Sequence, residues 1–325
     1  MRRREFITLL GAAASAWTHS VMAQGAQKAR RVGVMIGYDE GDEEALLRLA
    51  TLRSGLRGLG WQEGAVTFDI RLSGNTPKRL MSDAQDLVKR APDVIVVQGN
   101  RPFTIMRQVT RSIPIVFAQV ADPVGSKLID NLARPGGNAT GFTHFEVSMG
   151  GKWLEALKDM VPSLERVLVL YHPDTAVNVA FWKAAEAAAS IIGVTTIPGG
   201  VQDSAAIERL LAANMSAGLV VMPHDITSSN RDLIVTLAAK LRMPAVYPYR
   251  FFFTQGGLAY YSFNYVEQWR QVATYVDRIL RGEKPADLPV QAPTKFELTI
   301  NLKTAKALDL VVPPTVLARA DEVIE

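Results

Sequence analysis

The stretch "PDVIVVQGN", residues 92–100, is an unbroken run of β-branched side chains that stops abruptly at a polar amide, a glycine and a second amide. Its counterpart "AGLVVMPHD", residues 217–225, has the same plan, ending on a histidine and an acid. A short apolar run without alternation is the mark of a strand covered on both faces, as in a parallel sheet. The two runs do not stand alone. "LRGLGWQEGAVTFDI" (56–70) resembles "ASIIGVTTIPGG" (189–200) as a helix closed by glycine and followed by a strand, and "RSIPIVFAQ" (111–119) resembles "LRMPAVYPY" (241–249). The chain therefore reads as one α/β lobe written twice.

Extending this pattern predicts strands at 31–36, 66–71, 93–98 and 113–120 in the first half, and at 166–172, 194–198, 218–223 and 244–248 in the second. Amphipathic stretches of helical length separate them, which is the signature of βαβ units. The fold class is α/β, with two similar doubly wound parallel-sheet lobes. Between the halves, "LARPGGNATGF" (132–142) holds Pro135, Gly136, Gly137 and Gly141, residues that suit either an ordinary surface loop or a hinge.

The length of 325 residues is enough for two cores. The first 24, "MRRREFITLLGAAASAWTHSVMAQ", combine a basic start, an apolar stretch and a small-x-small terminus at Val21, Met22 and Ala23. This is an export signal over 1–23. Arg3 and Arg4 favour the twin-arginine route, although the general secretion route would also accept a basic start. Its apolar core, Phe6 to Trp17, is too short to span a bilayer. Removing the signal takes away three arginines and one glutamate, leaving 33 basic against 31 acidic residues, so the apparent basicity belongs partly to the signal. No basic run interleaved with aromatics remains, and nucleic acid is not an expected partner. There are no cysteines, and the four histidines are scattered, so neither a metal nor a cofactor is expected.

Catalytic motifs are missing as well. The glycines at 33, 37 and 41 do not have dinucleotide-binding spacing, and there is no phosphate-binding loop or nucleophile elbow. What the repeat does provide is a set of polar residues at equivalent strand ends, where open α/β sheets bind ligands. The candidates for ligand contact are Tyr38, Asn100, Arg101 and Asp122 in the first half, with Asn178, Asp225, Thr227 and Tyr247 in the second. For Asp122, Asp225 and Thr227, turn formation or helix capping is an equally good reading.

Four segments carry a family resemblance: "DVIVVQGN" (93–100), "IPIVFAQVADPVGSKLIDNLARPGGNATGF" (113–142), "KWLEALKDMVPSLERVLVLYHPDTA" (152–176) and the C-terminal stretch from "ILRGEKPADLPV" at 279 onward. Together they resemble the ABC transporter substrate-binding proteins that include tryptophan- and aromatic-amino-acid-binding members. The resemblance implies a type I periplasmic binding protein, with lobes of 30–143 plus 264–288 and 144–263 plus 289–325 joined by a three-strand hinge. It implies a monomeric periplasmic protein, not an enzyme, whose partners are a small-molecule ligand and an ABC permease in the inner membrane. A sensory ligand-binding module and, below it, a secreted α/β enzyme are the alternatives. One departure stands out: Asn100-Arg101-Pro102 replaces the Ala-Thr-Pro of tryptophan-binding relatives. A guanidinium there suits a ligand carboxylate, or points to solvent.

Overall fold

The computed structural model describes residues 29–74 and 76–325; the export signal expected over 1–23 lies outside them. The strands are β1 Arg30–Ile36, β2 Val66–Leu72, β3 Val94–Gln98, β4 Ile115–Val120, β5 Ala139–Thr143, β6 Arg166–Tyr171, β7 Thr195–Gly200, β8 Gly218–Val221, β9 Ala245–Tyr247, β10 Ala259–Ser262, β11 Glu297–Asn301 and β12 Glu322–Ile324. The helices are α1 Glu43–Gly58, α2 Pro77–Lys89, α3 Asn100–Val109, α4 Met149–Met160, α5 Ala176–Ile192, α6 Ser204–Ala213, α7 Asp225–Ser229, α8 Arg231–Lys240, α9 Arg250–Thr254, α10 Tyr265–Leu280, α11 Leu302–Ala307 and α12 Pro314–Leu317.

The first sheet runs β2-β1-β3-β4-β5 and is parallel throughout. The second contains β7-β6-β8-β9-β10, the same order, and then continues through β11 and β12. The repeat seen in the sequence is thus a repeat of topology, five strands in each lobe rather than four. β5 falls inside the glycine-rich stretch that reads as loop or hinge, and its glycine has a steric cause. A Cβ at Gly141 would lie 2.0 Å from the carbonyl oxygen of Phe117 on β4, so the two strands close up only around glycine. The lobes are not equal copies. β11 pairs antiparallel with β10, which makes the second sheet mixed and extends it to seven strands.

Both faces of the first sheet are covered, which explains the continuous apolar strands. Val32, Val34, Val96 and Val116 pack on one side against Leu52 and Leu56 of α1 and Trp269, Val272 and Val276 of α10. Met35, Ile95, Val97 and Phe117 pack on the other side against α2 and α3. Although α10 follows the strands of the second lobe in sequence, it lies against α1 of the first, with Ala273 filling the space above Gly55.

The chain consequently passes between the sheets three times: after β5, between β10 and α10, and before β11. One aromatic from each crossing meets in a cluster. Phe145 and Phe263 have ring centroids 5.4 Å apart, and Phe296 lies 6.3 Å from Phe145 and 6.4 Å from Phe263. Tilted and edge-on contacts of this kind hold position while allowing small rotations. A further link between the lobes is an ion pair of 3.1 Å from Arg231, which opens α8, to Asp42, the N-cap of α1.

Candidate ligand-binding cleft

The C-terminal ends of the parallel strands in the two sheets border a cleft of about 310 Å³. The first lobe lines it with Tyr38, Gln98, Asn100, Arg101 and Gln119, the first crossing with His144, and the second lobe with Thr175, Asn178, Phe181, His224, Asp225 and Tyr249. Small-molecule sites are of this order of size, with apolar walls and a few fixed polar groups.

The second-lobe wall is built from residues that satisfy one another. Asn178, in the first turn of α5, accepts from the His172 amide at 3.0 Å and donates to the Pro223 carbonyl at 2.9 Å, tying the ends of β6 and β8 together. His172 and His224 stack with centroids 4.3 Å apart. The Ile226 amide donates to His224 Nδ1, which places the His224 proton on Nε2 facing the Thr175 hydroxyl at 3.1 Å; that hydroxyl in turn reaches His172 Nδ1 at 3.1 Å. Burial pushes the His224 imidazole down to about 3, aided by His172 and the charge of Arg101, and lowers His172 as well. Both rings are neutral at physiological pH. Asp225 stands apart from this network: burial raises its carboxyl to about 6, and the Arg101 guanidinium pulls the other way. A cation from the start of α3 and an acid from the start of α7 thus act on one another from opposite lobes.

The first-lobe wall is organised by a buried cation. Arg48 on α1 is 1 % exposed, donates to Glu44 Oε2 at 2.8 Å, and lies 5.2 Å from the Tyr38 ring centroid and 4.7 Å from that of Tyr265. Burial opposes its charge, but Tyr38, Glu44 and Tyr265 more than offset this. Its Nε donates to Gln119 Oε1 at 3.2 Å, and Gln98 donates to the same oxygen at 3.1 Å.

A family model described as "ABC transporter substrate binding protein" matches residues 42–324. The chain belongs to that family. A curated relative named tyrosine-binding protein, from Clostridioides difficile, is 22% identical over 258 residues, covering 78% of this chain and 74% of its own length. A conserved domain protein from Vibrio cholerae has a solved structure with a TM-score of 0.84 and 27% identity, over 91% of this chain and 100% of that one. An ABC domain from Streptococcus pneumonia, solved in complex with L-Trp, also reaches 0.84 at 22% identity, with the same coverage.

Within this substrate-binding chain, the structure brings five of the eight sequence candidates to the cleft: Tyr38, Asn100, Arg101, Asn178 and Asp225. Two of these use their amides internally, Asn178 as described and Asn100 in a reciprocal pair with the backbone of Ala121 at 2.7 and 2.9 Å. The other three lie elsewhere. Asp122 is exposed and closes a turn by accepting from the Gly125 amide at 2.9 Å, which is the turn role. Thr227, within α7, is fully buried, donating to backbone carbonyls and accepting from the His224 amide as part of a capping box. Tyr247, still inside β9, stacks on Phe252 in the core at 5.0 Å. Tyr249, two residues on and beyond the strand end, is the tyrosine that reaches the cleft.

Sequence reasoning did not select Gln119, His144 or Arg48 as site residues. Gln119 carried a signal, an amide near the end of an otherwise apolar strand. His144 carried none, because nothing local shows that the chain after β5 borders a cleft.

Proposed function

We propose that this protein captures a small zwitterionic ligand of the amino-acid class between its lobes and delivers it to a membrane ABC permease from the periplasm. The observation that carries this reading is that Arg101 and Asp225, one charge of each sign from each lobe, line the same cleft and act on one another electrostatically. A ligand carboxylate matches the guanidinium and a ligand ammonium matches the acid, so an α-amino acid satisfies both charges while its side chain meets Tyr38, Phe181 and Tyr249. The amino-acid names attached to two of the similar proteins support the same class. Binding rather than catalysis fits the wall chemistry: His172 and His224 are held neutral, and the Thr175 hydroxyl between them is taken up by hydrogen bonds to both rings. The N-terminal 23 residues support export.

A thermal-shift screen of amino acids, dicarboxylates, polyols and sugars tests this. A ligand at about a hundred times its Kd should stabilise the protein by roughly 2.7 kcal/mol. Hits confined to compounds carrying both an ammonium and a carboxylate are expected. Hits confined to uncharged polyols would overturn the zwitterion reading.

A further inference from the structure

Gln119 is held in an unusual way. The pairing of β4 with β5 shifts register between Phe117 and Val120, a bulge that adds a residue on the β4 side. Gln119 sits in that bulge with φ of 54°, a left-handed conformation that costs a non-glycine residue energy. Bulges re-aim side chains beside binding sites. Here the re-aimed amide is fixed in its orientation, because Arg48 Nε and Gln98 Nε2 both donate to Oε1 and leave only the NH2 end for the cleft. Gln119 is 2 % exposed, yet its Nε2 has no partner within the protein.

His144 makes the complementary case. It is 6 % exposed and lines the same cleft, and its Nδ1 also has no partner within the protein. Burial holds the imidazole down to about 3, so the ring is neutral, with one donor and one acceptor nitrogen. Nδ1 is the acceptor in the tautomer that keeps the ring proton on Nε2. Val120, next to Gln119, pairs with Thr143, next to His144, so the two unpartnered atoms belong to neighbouring parts of one wall. Neither is charged, and on the amino-acid reading the ligand's charges are matched by Asp225 and Arg101, which leaves this pair for an uncharged group. Buried polar groups without partners are uncommon in native proteins, and two in one cleft indicate a ligand that completes them.

We propose that Gln119 Nε2 and His144 Nδ1 together read one uncharged ligand group that accepts one hydrogen bond and donates another, a hydroxyl or a primary carboxamide. This rests on the amino-acid reading above for the charged groups alone. Glu44 and Arg48 act as positioning residues, since the guanidinium decides which end of the Gln119 amide enters the cleft. A site built around such a pair rejects a ligand that lacks the group, because both protein atoms then stay buried and unpaired.

The test is calorimetric titration with matched pairs: L-tyrosine against L-phenylalanine, L-glutamine against L-norleucine, tyramine against phenethylamine, and the deaminated analogues of L-tyrosine and L-phenylalanine. At least one hydroxyl or amide member should bind about a hundredfold more tightly than its partner. Gln119→Glu keeps an oxygen for Arg48 and Gln98 but removes the NH2 donor, so it should abolish that preference without lowering the Tm. His144→Phe should reduce it about tenfold. Equal binding within every pair, equal weakening of both members by Gln119→Glu, or no binding by any probe would overturn the inference. A preserved preference in the tyramine or deaminated pair, without any advantage for the full amino acid, would sink the zwitterion reading and leave this one standing.

Discussion

The two walls of the cleft descend from one repeated α/β plan, yet they handle their polar groups in opposite ways. In the second lobe, Asn178, Thr175, His172 and His224 bond to one another and to the backbone, and Asp225 lines the cleft outside that network. In the first lobe, a bulge and a buried guanidinium hold Gln119 with its donor unused. On the reading proposed here, the self-satisfied wall supplies a charge and the unsatisfied wall supplies discrimination between ligands. The same strand-end position can thus serve either purpose, depending on whether its neighbours complete its hydrogen bonds.

The strongest way to break this contrast is to remove the charge from the self-satisfied wall. Asp225→Asn should lower affinity for an amino-acid ligand by two to three orders of magnitude, about the cost of leaving a buried ammonium unpaired. The ligand-free protein should become more stable at neutral pH, because an acid raised to about 6 is unfavourable as an anion in the fold. Calorimetry and thermal melts read the two effects; reduced stability with normal affinity would show that Asp225 only supports the first turn of α7.

Acid should act next. His144 and His224 fall from the ordinary 6.5 to about 3, so the unfolded chain binds more protons below pH 6.5 and stability is lost as pH drops toward 3. Asp225 opposes this between about 6 and 3.8, where the folded state holds the extra proton. Two histidines against one acid should leave a net loss on the order of 2 kcal/mol between pH 6 and 4. His224→Gln should flatten the melting profile over that range, and an unchanged profile would show that His224 is not buried neutral.

Smaller effects sharpen the comparison. Asp122→Ala removes a turn contact outside the cleft, so it should cost about 1 kcal/mol of stability and leave ligand affinity unchanged. A tenfold loss of affinity would return Asp122 to the site. Arg231→Gln breaks the ion pair to Asp42 that links the lobes at 3.1 Å. A partly exposed pair contributes about 0.5 to 1 kcal/mol, so affinity should fall two- to fivefold while small-angle scattering shows a larger mean radius of gyration. An unchanged radius would mean that the pair does not favour the closed arrangement.

The fold was largely legible because the signals that specify it are local. Apolar runs at 94–98 and 218–221 mark buried strands, glycines mark helix ends, and the recurrence of both reveals the doubled lobe. The strands that escaped notice, β5 and β10 to β12, carry glycine or mixed composition and gain their pairing only from the neighbouring sheet. For the cleft, residue type and strand-end position brought Tyr38, Asn100, Arg101, Asn178 and Asp225 into view, but could not separate Asp122 as a turn or Tyr247 as core, since a side chain's direction at a strand end depends on where the strand stops.

The sequence by itself determined the α/β class, the repeat, the polar character of the strand ends and the resemblance to substrate-binding proteins, all of which follow from periodicity and composition over short windows. Only the tertiary structure decided which polar groups remain for a ligand. Hydrogen-bond satisfaction is a property of the assembled neighbours: Arg48 meets Gln119 across 71 residues, His224 meets Thr175 across 49, and Tyr265 meets Glu44 across 221. No local pattern encodes which of these bonds will form, and the atoms they leave unpaired are the ones available to recognise a ligand.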